Sequence, residues 1–375
     1  MHILFIGQNG TTDWPHAAPS SPEWRVDRLA RSLSQLSHQV AVVATPPFAS
    51  QRLTHTHNVE IISRPSLNPE RPGGWLYLLL SLWTLWRRQP DVVHLQGWRV
   101  ASMCWLAALL SPETTLVWTI PTLPSRHPRL AKMLAWQAKR IVDAITTPSR
   151  TVQYILLQTY HLPTDYIPDG YLAPALKDIP TRHFGVRKDQ YVVALGSNEV
   201  ALKNVMRALA RVATRKKLLV LQPTSSAYQH ILRGKKNIEF VGQLQGRTLS
   251  SLIRQAATVI VADSTVSNET LLQAMDSGRK IIAINDTRYQ EILGVAGTYV
   301  RPGKVLELAA EIKQSIRQRS KGIPSPEAQK RAQAHFTWDR IIPDYLSAYR
   351  RALQQPVPLD SLQSVPARDL SVTTK

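Results

Sequence analysis

Two polar stretches, each set just behind an apolar run, carry side chains suited to holding a phosphate or a ribose. The first, DSTVSNE (Asp263 to Glu269), offers hydroxyls on Ser264, Thr265 and Ser267, the amide of Asn268 and the carboxylate of Glu269. The second, Gly196-Ser197-Asn198, comes shortly before Lys203-Asn204, which opens a helix containing Val205, Leu209 and Val212. The apolar runs ahead of them, Thr258 to Ala262 and Tyr191 to Leu195, read as buried parallel strands, and helical spacing follows each. A helix start presents unpaired N–H groups and partial positive charge, which favour an anion. Lys203 adds a point charge fit for a diphosphate. In open α/β sheets, ligands sit beyond the carboxyl ends of strands, so topology places Lys203 and the Ser264–Glu269 loop on facing edges of one pocket. Glu269, repelled by phosphate, either faces the ribose or sugar or complements its own helix start. An ordinary strand–helix–strand unit without ligand fits the same residues.

The elements that must position these groups follow from periodicity. Leu271, Leu272, Ala274 and Met275 make a helix closed by Gly278, and Lys280 to Asn285 the next strand. At the other end of the chain, His2 to Ile6 reads as a first strand and not as a signal peptide. The turn behind it, Gly7 to Gly10, has G-x-x-G spacing without a third glycine, so it does not support a dinucleotide fingerprint, and Gly10 remains a candidate only for backbone approach. An amphipathic helix over Glu23–Leu36 precedes strands at Val40–Ala44 and Val59–Ile62. Trp75 to Arg88 is a helix apolar on nearly all sides, which favours burial; a membrane-surface face anchored by Trp and Arg87-Arg88 is the other reading. The strand Asp91–Trp98 puts Gln96 and Trp98 at a carboxyl end. His94 within it reads most simply as a satisfied core histidine.

The order and spacing of these pieces resemble the retaining, nucleotide-sugar-dependent glycosyltransferases of the GT-B fold that carry a Glu-x7-Glu motif. Ser264, Leu271-Leu272, Ala274-Met275, Gly278 and Ile281-Ile282-Ala283 fall on that pattern, while Thr265 and Gln273 stand at the two glutamate positions. Lys203 matches a lysine that grips the donor diphosphate; Ser197 stands where its partner arginine would be. Pro121, followed by Thr122, replaces a histidine near the transferred sugar, and Gln222-Pro223-Thr224 a glycine-rich turn. Glu291 to Pro302 resembles the glutamate, glycine and strand beneath the nucleotide, with Glu291 itself a donor contact.

The resemblance implies an α/β chain of two Rossmann-like domains facing a central cleft. An acceptor domain would occupy residues 1–170 and a nucleotide-sugar donor domain residues 171–337. A helix at 338–353 would return to the N-terminal domain, and 354–375 would form a disordered tail. It implies a sugar donor in nucleoside diphosphate form, a glycan, lipid-linked or small-molecule acceptor, retention, and no metal or other cofactor. No Asp-x-Asp or histidine cluster argues for a metal, and no catalytic residue is assigned. Thr265, Gln273, Ser197 and Pro121 favour a second reading, a GT-B-fold binding or assembly partner that has lost transfer. Gln273 still hydrogen-bonds a ribose hydroxyl, but losing a charge-assisted bond costs on the order of 1–2 kcal/mol.

Totals narrow the class further. The chain of 375 residues has room for two cores, and a single cysteine, Cys104, points to a reducing compartment. The formal charge of +20 is uneven: +5 over residues 1–180 and +15 over 181–375. Such an excess favours nucleotide phosphates or anionic headgroups, and no nucleic-acid module is present. No run reaches spanning length. The expectation is a cytoplasmic protein that is not integral to a membrane, either soluble or in peripheral contact with the inner face of an anionic one.

Overall fold

The computed structural model describes residues 1–8, 22–45, 54–56, 58–65, 75–97, 100, 103–123, 128–171, 181–212, 214–221, 237–242, 244, 246–320 and 326–354. By contacts the chain divides into two units. One runs to Ile167 and resumes at Asp344; the other is Pro168–Pro343, with Arg25 joined to it.

The first unit is built on β1 (His2–Gln8), β2 (Gln39–Ala44), β3 (Thr54–Thr56), β4 (Val59–Ser63), β5 (Val92–Gln96), β6 (Thr115–Thr119), β7 (Ala144–Thr147) and β8 (Asp165–Tyr166). Their spatial order is β3-β4-β2-β1-β5-β6-β7-β8, parallel except for β3 against β4. Helices α1 (Pro22–Gln35), α2 (Trp75–Arg88), α3 (Cys104–Leu110), α4 (Pro128–Ile141) and α5 (Arg150–Tyr160) connect them. The strands are apolar along almost their whole length because both faces are covered. Leu4, Ile6, Val93, Leu95 and Trp118 of one face pack under Tyr77 and Leu85 of α2, Ala107 of α3, Leu134 and Ala138 of α4 and Leu156 of α5.

The second unit contains β9 (Tyr191–Leu195), β10 (Lys217–Leu221), β11 (Ile238–Phe240), β12 (Thr258–Val261), β13 (Ile281–Ile284) and β14 (Thr298–Val300). All pairs are parallel, in the order β11-β10-β9-β12-β13-β14. This is the doubly wound Rossmann order, and it reverses between β9 and β12. Its helices are α6 (Glu199–Arg211), α7 (Gly246–Gln255), α8 (Asn268–Asp276), α9 (Thr287–Leu293), α10 (Val305–Ser320) and α11 (Pro326–His335). α6 and α10 cover one face of this sheet, α7, α8 and α11 the other. Gly278 lies two residues past α8 at φ +65°, the left-handed position expected of it.

The last helix, α12 (Trp338–Gln354), carries Tyr349 into the first unit. Its hydroxyl lies 2.6 Å from Nδ1 of the fully buried His94, whose Nε2 lies 2.6 Å from Thr119 Oγ1. His94 is therefore the satisfied core histidine that its strand position indicated.

Asp189, just before β9, accepts from Arg279 and Arg319, each at 2.9 Å. Burial alone would raise its pKa, but the hydrogen bond from Arg319 and the two guanidinium charges outweigh it and hold the carboxyl below its usual range. A depressed folded-state value contributes stability above the ordinary carboxylate pKa of about 3.9, lost as pH falls through the folded one. Asp189→Asn should therefore lower the melting temperature at pH 7, and the gap to the parent should close as pH falls below about 4. A gap that stays constant down to pH 2 would show that the cluster is not electrostatic.

Candidate functional site

The two polar stretches meet at the reversal point. β9 and β12 run side by side, with Leu195 opposite Val261, so both loops leave the sheet at the same edge. The buried carboxylate of Asp263 joins them. Its Oδ2 accepts from the backbone N–H of Asn198 at 2.7 Å, and its Oδ1 from Thr265 N–H at 2.8 Å and from the Thr265 hydroxyl. Thr265 Oγ1 in turn accepts from Ser197 N–H at 3.0 Å and pairs with Ser197 Oγ at 2.8 Å. Gly196 makes room for this. It sits at φ +136°, and a Cβ there would lie 2.5 Å from Asp263 Oδ2.

Two helices therefore start next to each other. α6 opens at Glu199 behind Asn198, whose side chain accepts from Ala201 N–H; α8 opens at Asn268 behind Ser267, which accepts from Thr270 N–H. Each cap answers one of the four first-turn donors that a helix leaves unpaired. The loop before α8 is held through its carbonyls. Arg288 donates to the oxygens of Ser264 and Val266, each at 2.8 Å, and the Tyr289 hydroxyl donates to that of Asp263 at 2.6 Å. Burial pushes the Tyr289 hydroxyl up to about 12 against the opposing pull of Arg288, so it stays a neutral donor. Asn268 donates at 3.1 Å to Asp169, which also takes Arg25.

The remaining candidates fall in several places. Lys203 stands a full turn inside α6, not at its start, because Asn198 caps the helix earlier than the sequence spacing implied. Its ammonium lies 2.6 Å from Glu199, and both side chains are partly exposed. Asn198 and Ser264 line a cavity of about 300 Å³ at the carboxyl ends of β12, β13 and β14, together with Asp263, Asn204, Arg301 and Lys304. Glu269 and Gln273 are buried on α8, where the Gln273 amide donates to Glu269 Oε1 at 3.0 Å and its carbonyl oxygen accepts from Ser250 at 3.3 Å. Glu291 lies on α9, where its backbone carbonyl accepts from Arg331. In the first unit, Gln96 is buried 3.1 Å from His94, and Thr122 is exposed behind β6. Gly10 and Trp98 lie outside the described residues.

Sequence reasoning missed Asp263, Gly196, Arg288 and Tyr289. For Asp263 one signal was present, an acidic residue directly after an apolar strand at a helix-bearing edge.

Two units of Rossmann type, each built on a largely parallel sheet and the second with its loops joined at the reversal point, define a GT-B-type fold, and two glycosyltransferase family models match the chain. Residues 22–171 match the family model described as Glycosyltransferase Family 4, and residues 190–318 the one described as Glycosyl transferases group 1. Among solved structures, a glycosyltransferase from Rickettsia africae superposes with a TM-score of 0.75 at 15% identity, covering 94% of this chain and 98% of that one. Sucrose-phosphate synthase from Thermosynechococcus elongatus gives 0.73 at 15%, covering 94% and 99%. Anabaena HepE, solved in complex with UDP and glucose, gives 0.70 at 17%, covering 93% and 99%. No curated protein sequence matches the chain.

Proposed function

We propose that the protein is a glycosyltransferase that takes a sugar from a nucleoside diphosphate donor and passes it, with retention, to a glycan, lipid-linked or small-molecule acceptor. The donor binds in residues 171–337 and the acceptor in residues 1–170. The observation that carries this reading is the Asp263 bridge, which fixes the starts of α6 and α8 together at the reversal point. Negative charge develops on the departing diphosphate, and fixed N–H dipoles with nearby cations stabilise it most effectively. Backbone N–H groups at the starts of α6 and α8, held in place by the Ser197–Asn198 and Ser264–Asn268 loops, supply neutral donors; Lys203 turns from Glu199 to the diphosphate. That exchange costs little, since an exposed ion pair is worth about 0–1 kcal/mol. The reading calls for no metal. It is supported by the two family matches and by the UDP complexes of Anabaena HepE, and the reducing compartment implied by a lone buried cysteine agrees with work at the cytoplasmic side.

A second reading has its own observation. Glu269 and Gln273 are both buried on α8, where the Gln273 amide donates to Glu269, and the position of the second family glutamate carries no carboxylate. On that basis the chain binds the nucleotide without transferring sugar. Thermal melts with UDP, GDP and ADP decide the shared part. A ligand at 100 times its dissociation constant should stabilise the fold by about 2.7 kcal/mol. Release of free nucleoside diphosphate from the donor sugar then separates enzyme from binder, and absence of any shift with all three bases would remove both.

A further inference from the structure

The helices on one face of the first sheet differ in character from the rest of the unit. α2, α3, α4 and α5 together contain seven Lys or Arg residues and no Asp or Glu. By contrast α1 contains Glu23 and Asp27, and α12 contains Asp339 and Asp344. The outer sides of these helices are also apolar where they should be polar. α2 is not buried all round, as its composition favoured. It exposes Leu79, Trp83 and Trp86 as a stripe at i, i+4 and i+7. α3 lies beside α2 and α4 beside α3, and they continue the surface: Trp86 is 54% exposed, Trp105 57%, Leu109 64% and Trp136 59%. Cations lie on these rings. Arg140 sits 3.8 Å above Trp136, and Arg64 and Arg87 sit 5.1 and 5.5 Å from Trp83.

We propose that this face of the first unit, centred on Trp86, Trp105 and Trp136, docks on the surface of an anionic lipid bilayer. The inference stands apart from the transfer reading and does not need it. Large exposed apolar patches mark interaction sites. Among partners, the interface of an anionic bilayer matches both halves of this one. Amphipathic indole rings settle at headgroup level, and Lys and Arg of these helices, which hold no Asp or Glu of their own, meet anionic headgroups; Arg88, at the edge, is instead paired with Glu60 of β4. Among the described residues no helix is long and apolar enough to cross the membrane, so contact is made by the helices lying along the interface. The greater part of the net charge, over residues 181–375, plays no part in this assignment.

Flotation of the full chain with vesicles of phosphatidylcholine alone, or with about a third phosphatidylglycerol, tests it. The chain should float with the anionic vesicles, and less so as salt rises. Trp86→Ser/Trp105→Ser/Trp136→Ser should cut partitioning about tenfold or more while leaving the melting temperature unchanged. Lys132→Glu/Arg140→Glu should weaken it too, whereas Lys313→Glu/Arg317→Glu on α10 should not. Equal loss from both charge pairs would replace the docking face with diffuse attraction and overturn the proposal. So would a triple variant that floats like the parent, or a parent that ignores vesicles and forms a dimer that the triple variant lacks. Flotation is read without nucleotide, so a chain that floats yet binds no nucleoside diphosphate would sink the transfer reading alone.

Discussion

Gly196→Val is expected to abolish nucleoside diphosphate binding and to destabilise the second unit by about 3 kcal/mol or more. Two effects combine. At φ +136° a side chain is strained whatever the space, and here the new Cβ would lie 2.5 Å from Asp263 Oδ2. The carboxylate has to move, and with it go the acceptors of Asn198 N–H and Thr265 N–H. Backbone donors left unpaired in a buried place cost about 1–3 kcal/mol each, so the two loops separate instead of tolerating the change. Gly242→Val provides the internal control. Gly242 is also at positive φ, +82°, but nothing lies within 4 Å of its would-be Cβ, so only backbone strain is felt. Urea midpoints of the two variants should differ clearly, and only Gly196→Val should lose its nucleotide-induced shift. Matching midpoints would mean that the Asp263 bridge does not hold the loops.

The second large effect is expected from Lys203→Ala, which should weaken nucleoside diphosphate binding about tenfold or more by calorimetric titration. The fold itself should hardly respond, because the Lys203–Glu199 pair lies in partly exposed surface. Lys313→Ala, on the exposed side of α10, is the matched control. Lys216 is unsuited to that role. Its ammonium donates to the Asp189 carbonyl, and burial lowers its pKa, so its removal would disturb the turn into β9. Equal losses from Lys203→Ala and Lys313→Ala would show generic attraction by a basic protein, and the pocket assignment would fall.

Much of this architecture was legible because parallel strands buried on both faces leave a nearly unbroken apolar signature. Val192 to Leu195, Val259 to Val261 and Ile281 to Ile284 all read correctly for that reason. The three-residue β3, Thr-His-Thr, was not legible, since a short edge strand has neither length nor hydrophobicity to announce it. The start of α6 lies at Glu199 and not at Lys203, and the signal for it is local: an Asn cap with an acid behind it marks a helix start. Hydropathy could not show which side of α2 faces out, because tryptophan counts as apolar whether it lies in a core or at an interface. Only the Leu79–Trp83–Trp86 spacing holds that information. The Asp263 bridge was beyond sequence reasoning: its partner Asn198 is 65 residues away, and no local pattern encodes such a bond.

The central claim is that a nucleoside diphosphate sits where β9 and β12 part, and a crystal of the protein grown with UDP tests it most directly. The account predicts diphosphate oxygens about 3 Å from backbone N–H groups at the starts of α6 and α8, with the Lys203 ammonium turned from Glu199 toward them. A diphosphate bound away from Gly196–Asn198 and Ser264–Asn268, with the Lys203–Glu199 pair intact, would contradict it.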